Sequence, residues 1–400
     1  MHRQWAHLCN IRENKANRMA GIYLHIPFCR QACHYCNFHF STSLKRTNDF
    51  VVALLKEMEL REGYISGETV ETIYFGGGTP SLLEAEELER IMDGLRTQFS
   101  IDAGAEITLE ANPDDITPPQ LKSWKKAGIN RLSIGVQSFF GEDLQWMNRA
   151  HDAGQALAAI RMAQVEGFTN ISADLIYGGP TLPDSHWKKN VEQAVLLSVP
   201  HLSCYALTVE PKTALDKMIH LKKVSAVEPE DQARQFLLLM DWLGEAGYEH
   251  YEISNFALPG MRSRHNSSYW QGRRYLGLGP SAHSFDGVSR QWNIANNARY
   301  TDALSEGKLL FEKEELQPVQ QLNEYIMTSL RTVEGCDLDY ISRRWGKEAA
   351  VKLLAKTGRY RNEGKLEEGK EKIVLTREGK LLTDGITAEL FFETHPQPAV

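Results

Sequence analysis

The sequence predicts an α/β protein in which parallel βαβ units are followed by a smaller helix-rich module. Three observations carry this reading. Short runs rich in β-branched and aromatic residues recur at 22–26, 70–75, 106–110, 131–136, 171–177 and 202–207, and read as strands. Between them lie segments of helical period near 48–62, 85–98, 117–127, 154–166 and 185–198. In the first of these, Val51, Leu54, Leu55 and Met58 recur at i, i+3, i+4 and i+7. Such alternation makes consecutive strands parallel, because each helix carries the chain back across the sheet. Six units fit an open doubly wound sheet or a partial TIM-like barrel, and pattern alone does not choose. The third observation is a change of character near Gln317: helical segments at 319–332, 337–344 and 347–355 precede two short runs, KLEEG and KIVLT. A helix over 229–246 and a Gly- and aromatic-rich stretch, 265–293, connect the two parts.

Composition narrows the class. With 42% hydrophobic and 24% charged residues the chain reads as an ordinary globular protein. Its net charge of -7 supplies no basic field for nucleic acid, so none is expected as a partner. Six cysteines in 400 residues, with Cys9, Cys204 and Cys336 scattered, argue for a reducing compartment and thus a cytoplasmic protein. The most apolar run, FLLLMDWL, is broken by Asp241 and is far shorter than the roughly 20 residues that span a bilayer. Residues 1–18 carry no apolar h-region and make no signal peptide.

The chemistry concentrates in IYLHIPFCRQACHYCNFHF, residues 22–40, where Cys29, Cys33 and Cys36 have C-x3-C-x2-C spacing. Zinc sites usually gather four ligands, with a second cysteine pair farther along. No second pair exists here. A cubane iron–sulfur cluster takes one thiolate per iron, so three cysteines on one loop leave one iron open to another ligand. Three buried free thiols are the plain alternative, but structural cysteines rarely cluster within about eight positions beside His, Pro and aromatic residues. Farther on, Gly76, Gly77 and Gly78 follow a strand in FGGGTP. Alone they are a tight turn; with exposed N–H groups they can also hold the carboxylate of an amino-acid ligand. The phosphate-loop pattern does not match.

The cysteine spacing together with FGGGTP resembles the radical S-adenosylmethionine (radical SAM) superfamily. The resemblance implies a partial (βα)6 TIM-like barrel, a [4Fe-4S] cluster on Cys29, Cys33 and Cys36, and SAM chelating the fourth iron. Candidate residues recurring at strand C-terminal ends agree with a barrel. It further implies that Gly77, Gly78 and Thr79 receive the SAM amino group and that Glu110, in ITLEANP, bonds its ribose. Tyr23 and Tyr35 would pack near the cluster and adenine; as lone aromatics they would be core residues. YLHIPFC resembles the opening of the group that contains oxygen-independent coproporphyrinogen III oxidase and the HemW-type haem chaperones. In the oxidase, counterparts of Gln137, Arg149 and Asp174 contact a second SAM; here Gln137 and Asp174 are equally readable as polar groups satisfied inside the barrel mouth. The oxidase has a fourth cysteine two residues after the third, where this chain has Phe38, and that departure points to the HemW type. Members of this group usually begin near the equivalent of Met19, so 1–18 is expected to be a disordered upstream extension. The C-terminal module resembles the group's small winged-helix-type α+β domain.

A second constellation, HNSSYW, supplies His265, Tyr269 and Trp270. Imidazole is a common haem-iron ligand, and Tyr and Trp offer apolar faces to a porphyrin. HNxxYW is associated with the HemW type, which makes haem the expected cargo. A lone histidine is more often a satisfied core residue, and His283, in PSAHSF, competes for the ligand role. Arg262, Arg264, Arg273 and Arg274 flank the motif and suit haem propionates or a solvated face.

The expected function is a haem chaperone that binds haem and a SAM-ligated [4Fe-4S] cluster and passes haem to acceptor haemoproteins such as respiratory cytochromes. Membrane association would then be transient and through a partner, and a homodimer is compatible. SAM cleavage lies within reach of such a scaffold. Two rivals stand: the oxidase itself, decarboxylating propionates, and a radical SAM methyltransferase or cyclopropanase. The expected divisions are 1–18, a barrel over 19–225, a family-specific region over 226–310 and the C-terminal domain over 311–400.

Overall fold

Six strands lie side by side in chain order: β1 (Met19–Ile26), β2 (Thr69–Gly77), β3 (Ile101–Ala111), β4 (Arg131–Gln137), β5 (Ile171–Tyr177) and β6 (His201–Ala206). Every adjacent pair among them is parallel. The structure, a computed structural model, describes residues 19–369 and 371–393; the expected extension 1–18 lies outside the described residues. A doubly wound sheet would reverse its strand order at a switch point. This order runs from one to six without reversal, which is the partial barrel.

Burial on both faces explains the strands' composition. All seven residues of β4, RLSIGVQ, are buried, as a parallel strand covered by helices on one side and a filled barrel on the other requires. The helices between strands close the outside with Leu88, Ile91, Met92 and Leu95 of Ala85–Gln98, and Leu121 and Trp124 of Pro118–Ala127. Their ends are defined by local chemistry. Thr117 accepts from the Gln120 N–H, and Gly128, in the left-handed region, ends the same helix.

The sheet extends past both sides of the six. β7 (Glu249–Glu252) and β8 (Asn255–Ala257) add antiparallel strands beyond β6. On the other side β9 (Arg274–Leu278) pairs parallel with β1, and β10 (His283–Phe285), β11 (Ser289–Asn293) and β12 (Phe311–Glu315) follow antiparallel, giving one 12-stranded sheet. The Gly-rich letters of 265–293 therefore conceal strands. Gly277 and Gly279 signal a loop in sequence, yet in space they give room for neighbours: a Cβ on Gly277 would collide with the His283 carbonyl, and one on Gly279 with the His25 carbonyl. Buried Glu57 fixes this extension to the barrel. Its carboxylate accepts from Arg61 at 3.0 Å, the Gly279 N–H at 2.8 Å, Asn293 at 2.7 Å and the Tyr300 hydroxyl at 2.6 Å.

A second core, formed by Leu322, Ile326, Ile341, Leu353, Ile373 and neighbours, begins after β12. It joins the helices Pro318–Leu330, Leu338–Trp345 and Lys347–Asn362 to a small antiparallel sheet of β13 (Cys336–Asp337), β14 (Leu366–Glu368) and β15 (Lys372–Leu375). Helix lengths match the sequence periodicity except the last, which continues to Asn362. No helix among the described residues is long and apolar enough to cross a membrane.

Candidate cluster and ligand site

The cysteine loop lies over the C-terminal ends of β1–β4 and is tied there by its backbone. Cys29 N–H donates to the Ser41 carbonyl at 3.0 Å, and His34 N–H to the Met147 carbonyl at 3.1 Å. Arg30 Nε meets Asp115 at 3.0 Å, and Asn148 Nδ2 donates to the Ala32 carbonyl at 2.7 Å. Cys29, Cys33 and Cys36 are all free and half-buried.

Several donors approach the thiols, Tyr35 at Cys33 and the Phe38 backbone at Cys36 among them. The Thr79 hydroxyl reaches the Cys29 sulfur at 3.5 Å, and Arg149 Nη1 reaches the Cys33 sulfur at 3.3 Å. Asn112 joins them, donating from Nδ2 to Thr79 Oγ1 at 3.3 Å and accepting from Arg149 Nη2 at 2.7 Å. The result is a polar chain from one cysteine to another. Sequence reasoning missed Asn112, although its place two residues after Glu110 at a strand's C-terminal end was the available signal.

Whether these residues suit a cluster can be judged from the donor set. Among the described residues, no three His, Cys, Asp or Glu side chains are grouped so as to hold a metal ion. Three thiolates that each take a different iron of a cubane need not converge on one point. Their immediate neighbours are a hydroxyl and a guanidinium, which stabilise thiolate sulfur. Burial pushes the Cys29 thiol up to about 11 and also raises Cys36. Metal binding must displace those protons. The arrangement fits.

The glycine run forms a ledge between strand ends and the loop. A Cβ on Gly78 would sit 2.6 Å from the Phe28 carbonyl oxygen, and one on Gly77, at φ +106°, would sit 2.6 Å from the His25 ring. Gly76 faces Tyr23, Tyr74 and Glu110 at 2.9, 2.9 and 3.1 Å by the same measure. Glu110 accepts from the Tyr74 hydroxyl at 2.7 Å. Burial, with Asp174 nearby, raises its carboxyl from 4.5 to about 7 despite that bond. Asp174 is raised to about 6, again chiefly by burial, with Ser133 donating at 3.4 Å. Gln137 ends β4 at φ +64°, an uncommon conformation for a non-glycine residue. Tyr35 lies 3.5 Å from Arg149 Nη1, and Tyr23 stacks on Tyr74. The exposed N–H groups expected of the glycine run are in use, since the Gly78 N–H donates to the Ile26 carbonyl at 2.9 Å and the Gly77 backbone bonds Glu110. What remains is a ledge without side chains, beside a carboxylate and aromatic rings, which suits close approach of an amino-acid nucleoside such as SAM.

The HNSSYW residues separate. His265 is buried, with Nδ1 2.8 Å from Thr72 Oγ1, Nε2 2.9 Å from the Tyr269 hydroxyl, and its N–H donating to Glu106 at 2.9 Å. Burial lowers its pKa to about 3, leaving a neutral ring. It packs above Gly21, where a Cβ would crowd it at 3.4 Å. Tyr269 and Trp270 instead line a cavity of about 1140 Å³ between the barrel and the C-terminal module. Its walls include Tyr23, His25, Phe38 and His39 from the cluster side, His283 and Arg290 from β10 and β11, and Tyr325, Tyr340 and Trp345 from the module. Of the flanking arginines, Arg262 pairs with Glu249 at 2.5 Å, Arg273 with Glu71 at 2.9 Å and Arg274 with Glu68 at 2.5 Å. Arg264 donates to the Gly104 carbonyl at 2.7 Å. These four are engaged by the protein and lie outside the cavity wall.

Residues 23–194 match the radical SAM superfamily model. The chain is 35% identical over 375 residues to heme chaperone HemW of Mycobacterium tuberculosis, covering 92% of this chain and 94% of the relative. It is 32% identical over 373 residues to the protein of the same name from Bacillus subtilis, covering 91% and 97%. In structure it resembles coproporphyrinogen III oxidase (HemN) from Escherichia coli, described as a radical SAM enzyme, with a TM-score of 0.81 at 24% identity over 94% of this chain and 92% of that one. At that identity the likeness speaks for the fold. The relatives of greater identity, matched nearly end to end, settle kinship: the chain belongs to the radical SAM superfamily and, within it, to the HemW family.

Proposed function

We propose that this protein is a cytoplasmic haem chaperone that carries haem in the cavity between barrel and C-terminal module and delivers it to acceptor haemoproteins, respiratory cytochromes among them. The observation that carries the reading is the cavity itself. It is large, walled by aromatic rings, and shares residues 37–39 with the loop that follows Cys36. Planar apolar macrocycles are held by such walls. The names of the relatives support haem as the cargo.

Cys29, Cys33 and Cys36 would hold a [4Fe-4S] cluster, and Gly77, Gly78, Thr79 and Glu110 would hold SAM. When bound, cluster and SAM supply one-electron chemistry. The chain's own part is to position them: Thr79 and Arg149 donate to cysteine sulfurs, and Tyr23 and Tyr35 exclude water. Gln137 and Asp174 complete the polar floor. Tyr269 and Trp270 form haem wall, and His265, with both ring nitrogens engaged, orients Tyr269 from behind.

Anaerobic haem titration of the reconstituted protein, followed by incubation with an apo-cytochrome, tests this. Saturable binding and transfer are expected. Conversion of coproporphyrinogen III to protoporphyrinogen IX in the presence of SAM and reductant would instead establish the oxidase.

A further inference from the structure

The cavity holds more than an apolar wall, and its histidines are not equivalent. His25 has both ring nitrogens occupied, by the Tyr23 hydroxyl at 3.3 Å and the His39 carbonyl at 2.8 Å. His39 spends Nε2 on Asn297 Oδ1 at 2.6 Å. His265 is sealed between Thr72 and Tyr269 and is absent from the wall. His283 differs from all three. It stands on β10, exposed to the cavity, with no hydrogen bond from either ring nitrogen to any described residue. Its ring is held by stacking on Trp292 across the β10–β11 ladder, at 6.1 Å between centroids. Its backbone is fixed against Gly277, where no side chain fits. An imidazole on a packed strand, with a free lone pair and facing an aromatic cavity, has the properties of an axial ligand.

The charges on the wall agree. Glu324 pairs with Arg290 at 3.0 Å, and Asp337 accepts from the Tyr340 N–H at 2.8 Å, so both acids are satisfied within the protein. Arg343 and Arg344 project from the helix Leu338–Trp345 on the module's side. Arg344 lies over the Trp345 ring and donates to Gln321 at 3.1 Å, neutral partners both. Arg343 has no partner among the described residues. Two guanidinium charges without carboxylates therefore face the cavity, the complement of a ligand with two carboxylates.

We propose that His283 supplies the axial ligand of the bound haem and that Arg343 and Arg344 receive its propionates, so that the iron is held by the barrel's sheet and the carboxylates by the C-terminal module. The proposal rests on the haem-carrying reading above. A neutral imidazole donates its lone pair to iron, and no electron changes hands. Because the two anchors belong to different cores, loosening the module releases the propionates first and leaves haem on one ligand, a route for handing it on.

Haem titration with absorption and electron paramagnetic resonance spectra, on wild type and single variants, tests it. His283→Ala is expected to lose the wild-type axial signature and to weaken affinity at least tenfold, with the signature restored by added imidazole. His283 is exposed on a short strand, so folding is retained, and a thermal scan verifies this. Arg343→Ala with Arg344→Ala should weaken haem binding at least tenfold while sparing binding of a haem dimethyl ester. His265→Gln should keep the wild-type axial signature. An unchanged spectrum in His283→Ala, or loss of the signature in His265→Gln or His39→Ala instead, overturns the assignment while haem carriage stands. Failure of wild type to bind haem at all overturns haem carriage itself.

Discussion

Arg149 donates from Nη1 to the Cys33 sulfur at 3.3 Å, across 116 positions of sequence. Its Nη2 serves the Asn112 side chain at 2.7 Å and the Gly135 carbonyl at 2.9 Å, so one guanidinium fixes the cysteine loop to two strand ends. Replacing it with Ala leaves two buried acceptors without donors, costing about 2–3 kcal/mol. Arg149→Ala should therefore melt lower and, after anaerobic reconstitution, contain less iron and sulfide per chain. Full iron and sulfide content in the variant would show that Arg149 does not support the cluster loop. Arg149→Lys cannot make all these contacts at once and should behave like Ala for iron content.

Gly78 has no space for a side chain because its neighbours are backbone: Phe28 O at 2.6 Å and Ile26 O at 2.8 Å. Gly78→Ala must push the ledge away from β1, and a loss of more than about 2 kcal/mol is expected from overpacking. Gly77→Ala adds a left-handed backbone penalty of about 1–2 kcal/mol. Equilibrium dialysis with SAM should show weakened binding in both; undiminished SAM affinity in Gly77→Ala would remove the ledge from the ligand site.

Glu110 makes apo stability depend on pH. Its carboxyl rises from 4.5 to about 7 in the fold, so the native state binds its proton more tightly than the unfolded chain does. That contribution is complete below about pH 4.5 and is lost as pH rises through 7. Glu110→Gln, which cannot ionise, should match wild type near pH 4.5 and exceed it by about 3 kcal/mol at pH 8. Urea denaturation of the cluster-free protein at both pH values reads this directly. Parallel pH profiles for the two proteins would exclude it.

Glu57 accepts from a cation, an amide, a backbone N–H and a hydroxyl, and side chains on both sides of β9 depend on it. Glu57→Ala strands Arg61 in the interior, and a cost of about 3–5 kcal/mol is expected. The second core should be spared, so two unfolding transitions should replace one in a denaturant titration. A single transition with unaltered midpoint contradicts this role.

Much of this architecture was legible before any coordinates. Runs of β-branched and aromatic residues, alternating with helical period, located the six parallel strands, because their central residues are buried between helices and barrel interior. The cysteine spacing and the triple glycine marked the loop and the ledge that the fold brings together, because clustered thiols and close backbone approach tolerate few other letters. The strands of 274–293 escaped, since Gly277 and Gly279 signify a loop in sequence and a crowded neighbour in space. His265 and His283 looked interchangeable as letters. Burial between Thr72 and Tyr269 distinguishes the first, and an unpartnered ring on a cavity wall distinguishes the second.

By itself the sequence determined the fold class, the three thiols and the family, because local spacing and burial pattern are properties of neighbouring residues. Only the tertiary structure decided which arginine meets which sulfur and which histidine on the cavity wall keeps its ring nitrogens free. Those are long-range choices, made when β9 joins β1 and the C-terminal module closes over the barrel, and no short stretch of chain records them.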